Sequence, residues 1–254
     1  MFVNLNKSLI AQRFAKAGQS YTEQAVIQKK ICQHLCQLMQ ASCPKHLPDI
    51  LEIGCGSGNL TQQVAANFQV EQWHLNDLYP QVQPHFQSDL PIQWMIGDIE
   101  TLTLPQHLDA IVSSSAVQWM TDLSVLLARC HAALKRQGWL CFSTFGPDNF
   151  TEIKQLTGQG LQYWSIDDWR QQLEQLNFEI VELSQQYFYM QFETPKAVLK
   201  HIKATGVTGT SVQQQRWTKQ SLTEFYHRYQ QFQLENGLYT LTYHPVYCIA
   251  RRKA

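Results

Sequence analysis

The chain has no long apolar run; no window approaches the roughly 20 residues that a membrane-spanning helix needs, so a helical membrane protein is not expected. It has no surplus of charge of either sign. Lys+Arg and Asp+Glu each number 20 in 254 residues, and the formal net charge is zero. A protein built mainly to grip RNA or DNA carries a basic excess, so no nucleic-acid partner is expected. No CxxC pair offers a zinc site, and no metal site is expected. The 7 cysteines (Cys32, Cys36, Cys43, Cys55, Cys130, Cys141, Cys248) are odd in number and scattered, which is no disulfide framework. Such thiols fit a reducing cytoplasm. Met1 to Gln24 lacks the apolar stretch of a secretory signal and carries Asn4, Asn6, Lys7, Gln12 and Arg13. No internal repeat is evident, and the glutamine-rich stretches at Gln213 to Gln215 and Gln230 to Gln233 read as solvated helix surface.

What is present is an ordinary apolar fraction, 44%, enough for a packed core. The length suits one domain with elaborations. From about Asn6 to Gln40 the chain reads as helices, with Ile27, Ile31, Leu35 and Leu38 at helical spacing, until Cys43-Pro44 and Pro48 break it. Short strands are expected at Asp49 to Ile53, Gln72 to Leu75, Gln93 to Ile96, Leu108 to Ser113 and Gly138 to Thr144. Helices are expected between them at Leu60 to Phe68 and Leu123 to Leu134. This alternation predicts a doubly wound α/β fold with a mostly parallel sheet covered on both faces. Beyond Gly146-Pro147 the character changes. A helix at Ile166 to Leu176 precedes a long strand, Phe178 to Phe192, then helices at Pro195 to Ala204 and Ser221 to Phe232, and a closing strand, Tyr239 to Ala250. A final antiparallel hairpin on the sheet accounts for the two long strands.

Ligands of such sheets bind beyond the carboxyl ends of the strands. Gly54, Gly56 and Gly58 follow the first strand and open a helix, where glycine permits positive φ and close approach to a ligand. The spacing is G-x-G-x-G, with Asn59-Leu60 where the last glycine of a dinucleotide G-x-G-x-x-G would fall. Glu52 before the loop is ill placed for a pyrophosphate, and would suit a cofactor bearing an ammonium and a sulfonium. Asp77 ends the second strand, where an acid can accept from two ribose hydroxyls. Asp98 follows the third strand, placed to accept from an adenine amino group while Ile99 packs on the ring. Taken singly, Asp98 could be a helix N-cap and Asp77 a turn residue.

In order, these residues resemble the class I S-adenosylmethionine-dependent methyltransferase superfamily from about Asp49 to Thr144. The resemblance implies a seven-stranded Rossmann-like sheet with S-adenosylmethionine as methyl donor. It implies cofactor contacts from Glu52, Gly54, Cys55, Gly56, Gly58, Asn76, Asp77, Leu78, Asp98, Ile99 and Ser114. The chain is then expected to be one methyltransferase domain, 1–254: an N-terminal helical cover at 1–45, a cofactor-binding core at 46–150, and a substrate side with an inserted helical lid at 151–254.

Further stretches resemble the malonyl-[acyl-carrier protein] O-methyltransferases of biotin synthesis. They are Ile10-x-x-Arg13-Phe14-x-x-Ala17-x-x-x-Tyr21-x-x-x-Ala25-x-x-Gln28, Asp98-Ile99-Glu100, Ala116 to Trp119, Phe142 to Pro147, Lys203 to Thr210 and Leu241 to Tyr247. Asn76 to Pro80 departs from that family's usual Asp-Leu/Ile-Ser-Pro, although Asp77 keeps its place. The implied reaction is methylation of the free carboxylate of a malonyl thioester, on acyl carrier protein or on CoA, an early step toward pimelate and biotin. Tyr21, Gln118, Trp119 and His244 are the expected catalytic-site residues, with Tyr243 and Arg13 as further candidates; Tyr21 and its helix act in the family as a cover over the cofactor. Trp119 can equally be an apolar wall, and His244 a packed core histidine. An acidic carrier protein needs a locally basic dock, for which Lys196, Lys200, Lys203, Arg216 and Lys219 are candidates, though they could form an ordinary solvated helix face. A monomer is expected. Kept open are a methyltransferase for another small carboxylic acid or RNA, a non-catalytic S-adenosylmethionine-binding partner protein, and an NAD oxidoreductase, which the glycine spacing and Glu52 disfavour.

Overall fold

Asp49–Ile53, apolar but for its acids and followed at once by glycines, forms strand β1, an interior strand of a seven-stranded sheet. The computed structural model describes residues 7, 26–86, 90–204 and 217–254. Around β1 lie β2 (Gln72–Asp77), β3 (Ile92–Ile96), β4 (Leu108–Ser114) and β5 (Leu134–Phe145). The pairs β1–β2, β2–β3, β1–β4 and β4–β5 are all parallel. The sheet is completed by β6 (Phe178–Gln185) and β9 (Pro245–Arg252), which pair antiparallel, and its order is β3-β2-β1-β4-β5-β9-β6. It is therefore a doubly wound, mostly parallel sheet.

Helices cover it for reasons visible in their spacing. Helix α1 (Val26–Ser42) buries Ile27, Ile31, Leu35 and Met39, one every fourth residue. Helix α2 (Asn59–Asn67) starts from Gly58, whose φ of 77° ends the glycine loop in left-handed geometry. Helix α3 (Leu123–Ala133) is capped by Asp122, whose carboxylate accepts from Val125 N–H. Helix α5 (Ile166–Gln175) begins with a reciprocal capping box between Ser165 and Asp168. The core joins Leu51 and Ile53 of β1, Ile111 of β4, Leu140 and Phe142 of β5, Leu126 of α3, Trp169 of α5 and Val246 of β9, all almost wholly buried. Each such side chain contributes about 1.5–3 kcal/mol by leaving water.

The chain separates into two compact units. The larger comprises Val26–Thr144, Trp164–Gln185 and Val246–Ala254, which carry the seven-stranded sheet almost entirely. The second gathers Phe145–Tyr163 and the described residues of Gln186–Pro245. It contains α4 (Thr151–Thr157), α6 (Pro195–Ala204), α7 (Lys219–Tyr229) and an antiparallel pair, β7 (Phe188–Phe192) with β8 (Tyr239–Tyr243).

Several details differ from the sequence expectation. Each of the two long strands is broken once, Phe178 to Phe192 after Gln185 and Tyr239 to Ala250 at His244, so that one half joins the large sheet and the other a two-stranded one. Helix α4 was also not expected; it is short and bounded by left-handed Phe150 (φ 56°) and Gly158 (φ 65°). Among the described residues, no helix is long and apolar enough to cross a membrane, and no His/Cys/Asp/Glu group could hold a metal ion.

Candidate functional site

In the larger unit the glycine loop lies at the carboxyl edge of the parallel strands. Gly54, Gly56 and Gly58 all have positive φ (70°, 52° and 77°). At Gly54 glycine is doubly required, because a Cβ there would also fall onto the Ala116 side chain after β4. At Gly56 an added Cβ would meet nothing within 4 Å, so that side of the loop is open. The loop is tied to β2 by Cys55 N–H donating to Asn76 O at 2.9 Å and by Gly56 N–H donating to Asp77 Oδ2 at 2.9 Å. Asp77 Oδ1 accepts from Leu78 N–H at 2.7 Å. Burial raises the Asp77 pKa, and the amides of Gly56, Leu78 and Tyr79 pull it back. The Asn76 amide is spent on the carbonyls of Met95 and Gly97 (2.7 and 3.0 Å), which fixes β2 to the turn after β3.

That turn holds Asp98 and Ile99. Gly97 N–H donates to Asp77 O at 2.8 Å, and Asp98 Oδ1 accepts from Glu100 N–H at 3.0 Å. Ile99 is buried in the main core. Arg129 of α3 donates to the carbonyls of Ile99 (2.8 Å), Glu100 (2.7 Å) and Leu102. The Glu100 carboxylate accepts from Thr121 N–H (2.9 Å) and Asp122 N–H (2.7 Å) at the head of the same helix. The turn is thus stapled to α3 at two points.

Glu52 is 1% exposed, and its Oε2 accepts from Thr61 Oγ1 of α2 at 2.6 Å. Burial pushes its pKa up to about 8, against the Thr61 bond and helped by the negative charge of Asp77. Ser114 Oγ meets Cys32 Sγ at 3.2 Å and Ser143 Oγ at 2.9 Å. Burial pushes the Cys32 thiol up to about 12, which denies it a nucleophile's role. Ser115 has φ 55°, a strained geometry for serine, and is followed by the 3₁₀ turn Val117–Trp119. Gln118 Nε2 donates to Ser115 O at 2.6 Å, and Trp119 is buried. The structure therefore brings the glycine loop, Asn76 to Leu78, Asp98-Ile99 and Ser114 to Ala116 together at one edge.

The second unit carries Tyr243 and His244, both buried. Tyr243 Oη lies 2.8 Å from His201 Nε2. His244 Nδ1 accepts from Asp148 N–H at 3.2 Å, and the Tyr187 ring stacks on the imidazole at 4.3 Å between centroids. The same strand end is held by Glu152, which is buried and accepts from Thr242 N–H (3.0 Å) and Thr242 Oγ1 (2.7 Å). On α6, Lys196, Lys200 and Lys203 are exposed along one stripe, while Val198, His201 and Ile202 are buried on the other side. Lys219 is exposed at the start of α7. Tyr21, Arg13, Arg216 and the Gly206 to Thr210 stretch lie outside the described residues.

Sequence reading missed Thr61, Glu100, Arg129, Asp148, Glu152, Tyr187 and His201 as parts of these constellations. Of these, only Glu100 stood in a motif that the sequence singled out.

A family model described as a methyltransferase domain matches residues 22–183. A malonyl-[acyl-carrier protein] O-methyltransferase from Acinetobacter baylyi is 64% identical over 253 residues, covering 99% of each chain. One from Bacteroides thetaiotaomicron is 35% identical, covering 98% of this chain and 99% of the relative. Among solved structures, the YcgJ protein from Bacillus subtilis aligns with TM-score 0.63 at 14% identity, covering 87% of this chain and 99% of that one. The N-methyltransferase NodS from Bradyrhizobium japonicum, solved with S-adenosyl-L-homocysteine, aligns with TM-score 0.54 at 14% identity, covering 88% and 86%. At such identities the two structures speak for the fold alone.

Proposed function

The chain belongs to the malonyl-[acyl-carrier protein] O-methyltransferase family, and on that premise we propose that it methylates the free carboxylate of a malonyl thioester with S-adenosylmethionine as donor. The observation that carries the substrate is the 64% identity to the Acinetobacter baylyi enzyme across 99% of both chains. The ester hides a charge, so that chain-elongating enzymes accept the product on the way to pimelate and biotin.

The residues of the larger unit fit the cofactor. The open side of the loop at Gly56 gives a ligand access to backbone N–H groups at the start of α2. In this reading Glu52, Gly54, Cys55, Gly56 and Gly58 take the methionine part, Asn76, Asp77 and Leu78 the ribose, Asp98 and Ile99 the adenine, and Ser114 the face of methyl transfer. Because the amides of Gly56 and Leu78 already hold the Asp77 carboxylate, it needs no rearrangement to receive the ribose. When bound, S-adenosylmethionine supplies an electrophilic sulfonium methyl.

The nucleophile asks little of the protein. A carboxylate is ionised at neutral pH, so no general base is needed, and the work is proximity and orientation. An anion and a cation react to neutral products, so dry, apolar walls favour the transition state over the reactants. Trp119 supplies such a wall and Gln118 an N–H donor; His244 of the second unit and Tyr21, outside the described residues, are the other residues assigned to the substrate. The exposed Lys196, Lys200, Lys203 stripe, with Lys219 and Arg216, forms the dock for the acidic carrier protein. Seven free, buried thiols support a cytoplasmic setting, and the protein acts as a monomer.

Incubation with methyl-labelled S-adenosylmethionine and, in separate reactions, malonyl-carrier protein, malonyl-CoA, free malonate or bulk tRNA tests this. Label is expected as a methyl ester on the malonyl thioesters. Label absent from both would sink the reading, and label on free malonate or tRNA alone would name a different methyltransferase.

A further inference from the structure

The proposed reaction uses neither Arg129 nor the carboxylate of Glu100, yet both are spent on the turn that carries Asp98 and Ile99, wholly within the larger unit. Residues 98–102 close on themselves: Asp98 O accepts from Thr101 N–H at 2.9 Å and from Leu102 N–H at 3.1 Å. The turn is entered through Gly97, whose φ of 141° an L side chain rarely adopts. Three of its carbonyls, those of Ile99, Glu100 and Leu102, converge on the guanidinium of half-buried Arg129. Carbonyl dipoles aimed at one spot repel each other, and a planar cation with several fixed donors offsets that repulsion. The helix that bears Arg129 is itself docked on the turn, because the Glu100 carboxylate accepts from Thr121 N–H (2.9 Å) and Asp122 N–H (2.7 Å) just ahead of α3.

One of these bonds reaches beyond the backbone of the turn. A trans peptide is planar, and its C=O and N–H point in opposite directions. In the peptide that joins Ile99 to Glu100, the C=O accepts from Arg129 Nη1 at 2.8 Å and the N–H donates to Asp98 Oδ1 at 3.0 Å. The guanidinium therefore fixes the plane from one side, and the plane fixes the carboxylate on the other. A bond accepted by the C=O also polarises the peptide and strengthens its N–H as a donor. We propose that Arg129 is a positioning residue for base recognition: through the Ile99–Glu100 peptide it aims the Asp98 carboxylate at the amino group of adenine.

The inference rests on the cofactor reading proposed above, in which Asp98 accepts from the adenine amino group. What such aiming controls is selection between bases more than affinity for one of them. An ionised carboxylate only accepts. It attracts the amino group of adenine and repels the carbonyl oxygen that hypoxanthine carries at the same place. That difference is felt only while the carboxylate is held on the line of approach, because hydrogen bonds weaken steeply as they bend. Without the guanidinium the Ile99–Glu100 plane can turn, the carboxylate turns with it, and the two bases meet it more nearly alike.

The test is the ratio of dissociation constants, measured by calorimetry on the full chain, for S-inosylhomocysteine over S-adenosylhomocysteine. The wild type should prefer the adenosyl ligand by about a hundredfold. Arg129→Met should lower that preference to about tenfold, and Arg129→Lys, which keeps a cation but not the fork, should fall between them. A structural role alone reduces the folded fraction, which weakens both ligands by one factor and leaves the ratio untouched. An unchanged ratio in Arg129→Met therefore overturns the proposal, whatever happens to stability. Asp98→Asn supplies the second measurement, since an amide both accepts and donates. It should flatten the preference, and Arg129→Met added to it should change the ratio no further, because the arginine acts through Asp98. A further drop in the double variant also counts against the proposal. Failure of the cofactor reading looks different: a wild type that binds neither ligand, or both alike, removes that reading and the inference with it. A wild type that prefers adenine, beside an Arg129→Met that prefers it equally, removes the inference alone.

Discussion

Replacing Glu52 by Gln should make the apo-protein more stable, and increasingly so as the pH rises. The carboxyl is 1% exposed, its pKa is pushed up to about 8, and its ordinary value is 4.5. Between those values the folded chain holds a proton that the unfolded chain has released. Stability from this group is therefore fully present below pH 4.5 and is lost as the pH climbs toward 8. One proton is worth about 1.4 kcal/mol per pH unit, so from pH 5.5 to 7.5 the wild type should lose roughly 2–3 kcal/mol relative to the variant. Glutamine keeps the shape, and its amide oxygen can still accept from Thr61 Oγ1, so the substitution removes the ionisation and little else. Urea unfolding of both proteins at pH 5.5, 6.5 and 7.5, with unchanged m-values, measures the difference. All other titrating groups cancel in the comparison. Stability curves that run parallel across this range would refute the reasoning, since Glu52 would then be ionised in the folded apo-protein. The cofactor reading adds a second expectation. A bound ammonium and sulfonium should draw the proton off, so calorimetry of S-adenosylmethionine binding at pH 7, in buffers of differing ionisation enthalpy, should show release of about one proton in the wild type and none in the variant.

Two further expectations are simpler to check. Asp77→Ala should weaken S-adenosylmethionine binding by two orders of magnitude or more, about 3 kcal/mol for a buried, charged acceptor, while the chain stays folded; unchanged affinity by calorimetry would reject the ribose assignment. Lys200→Glu with Lys203→Glu should raise KM for malonyl-carrier protein about tenfold while leaving KM for malonyl-CoA nearly unchanged; equal effects on both substrates would reject the dock.

The cofactor half of the molecule was legible because its signals are local. A strand that runs straight into G-x-G-x-G, and acids at the end of the second strand and just after the third, report their own positions, and the structure brings Asp77 against Gly56 at 2.9 Å. The substrate half was less legible because its constellations are made by the fold. Nothing in the sequence places Tyr187 and Asp148 beside His244, or His201 beside Tyr243. The Phe178 to Phe192 alternation is equally good for one strand or two. Which sheet each half joins depends on partners far along the chain, and period-2 patterning carries no information about partners. The start of β5 was misplaced for a related reason. Leu134 reads as the end of the preceding amphipathic helix, but its backbone pairs with Leu108. The short α4 was invisible because its seven residues are too few for a periodic signal, although the left-handed cap at Gly158 was there to be read.

The place of β9 between β5 and β6 has a consequence for how the protein is made. As the chain leaves the ribosome, β1 to β5 can assemble in the order of their synthesis. Strand β6 emerges next and finds no sheet partner, because its neighbour lies some sixty residues further on. Until Arg252 is free, the apolar residues Phe178, Ile180 and Leu183 have no strand beside them. Pairing over so long a stretch of chain is slow, and unpaired edges invite aggregation. The nascent enzyme therefore passes through a stage at which a chaperone has an open strand edge to hold, and the sheet closes only with the last strand.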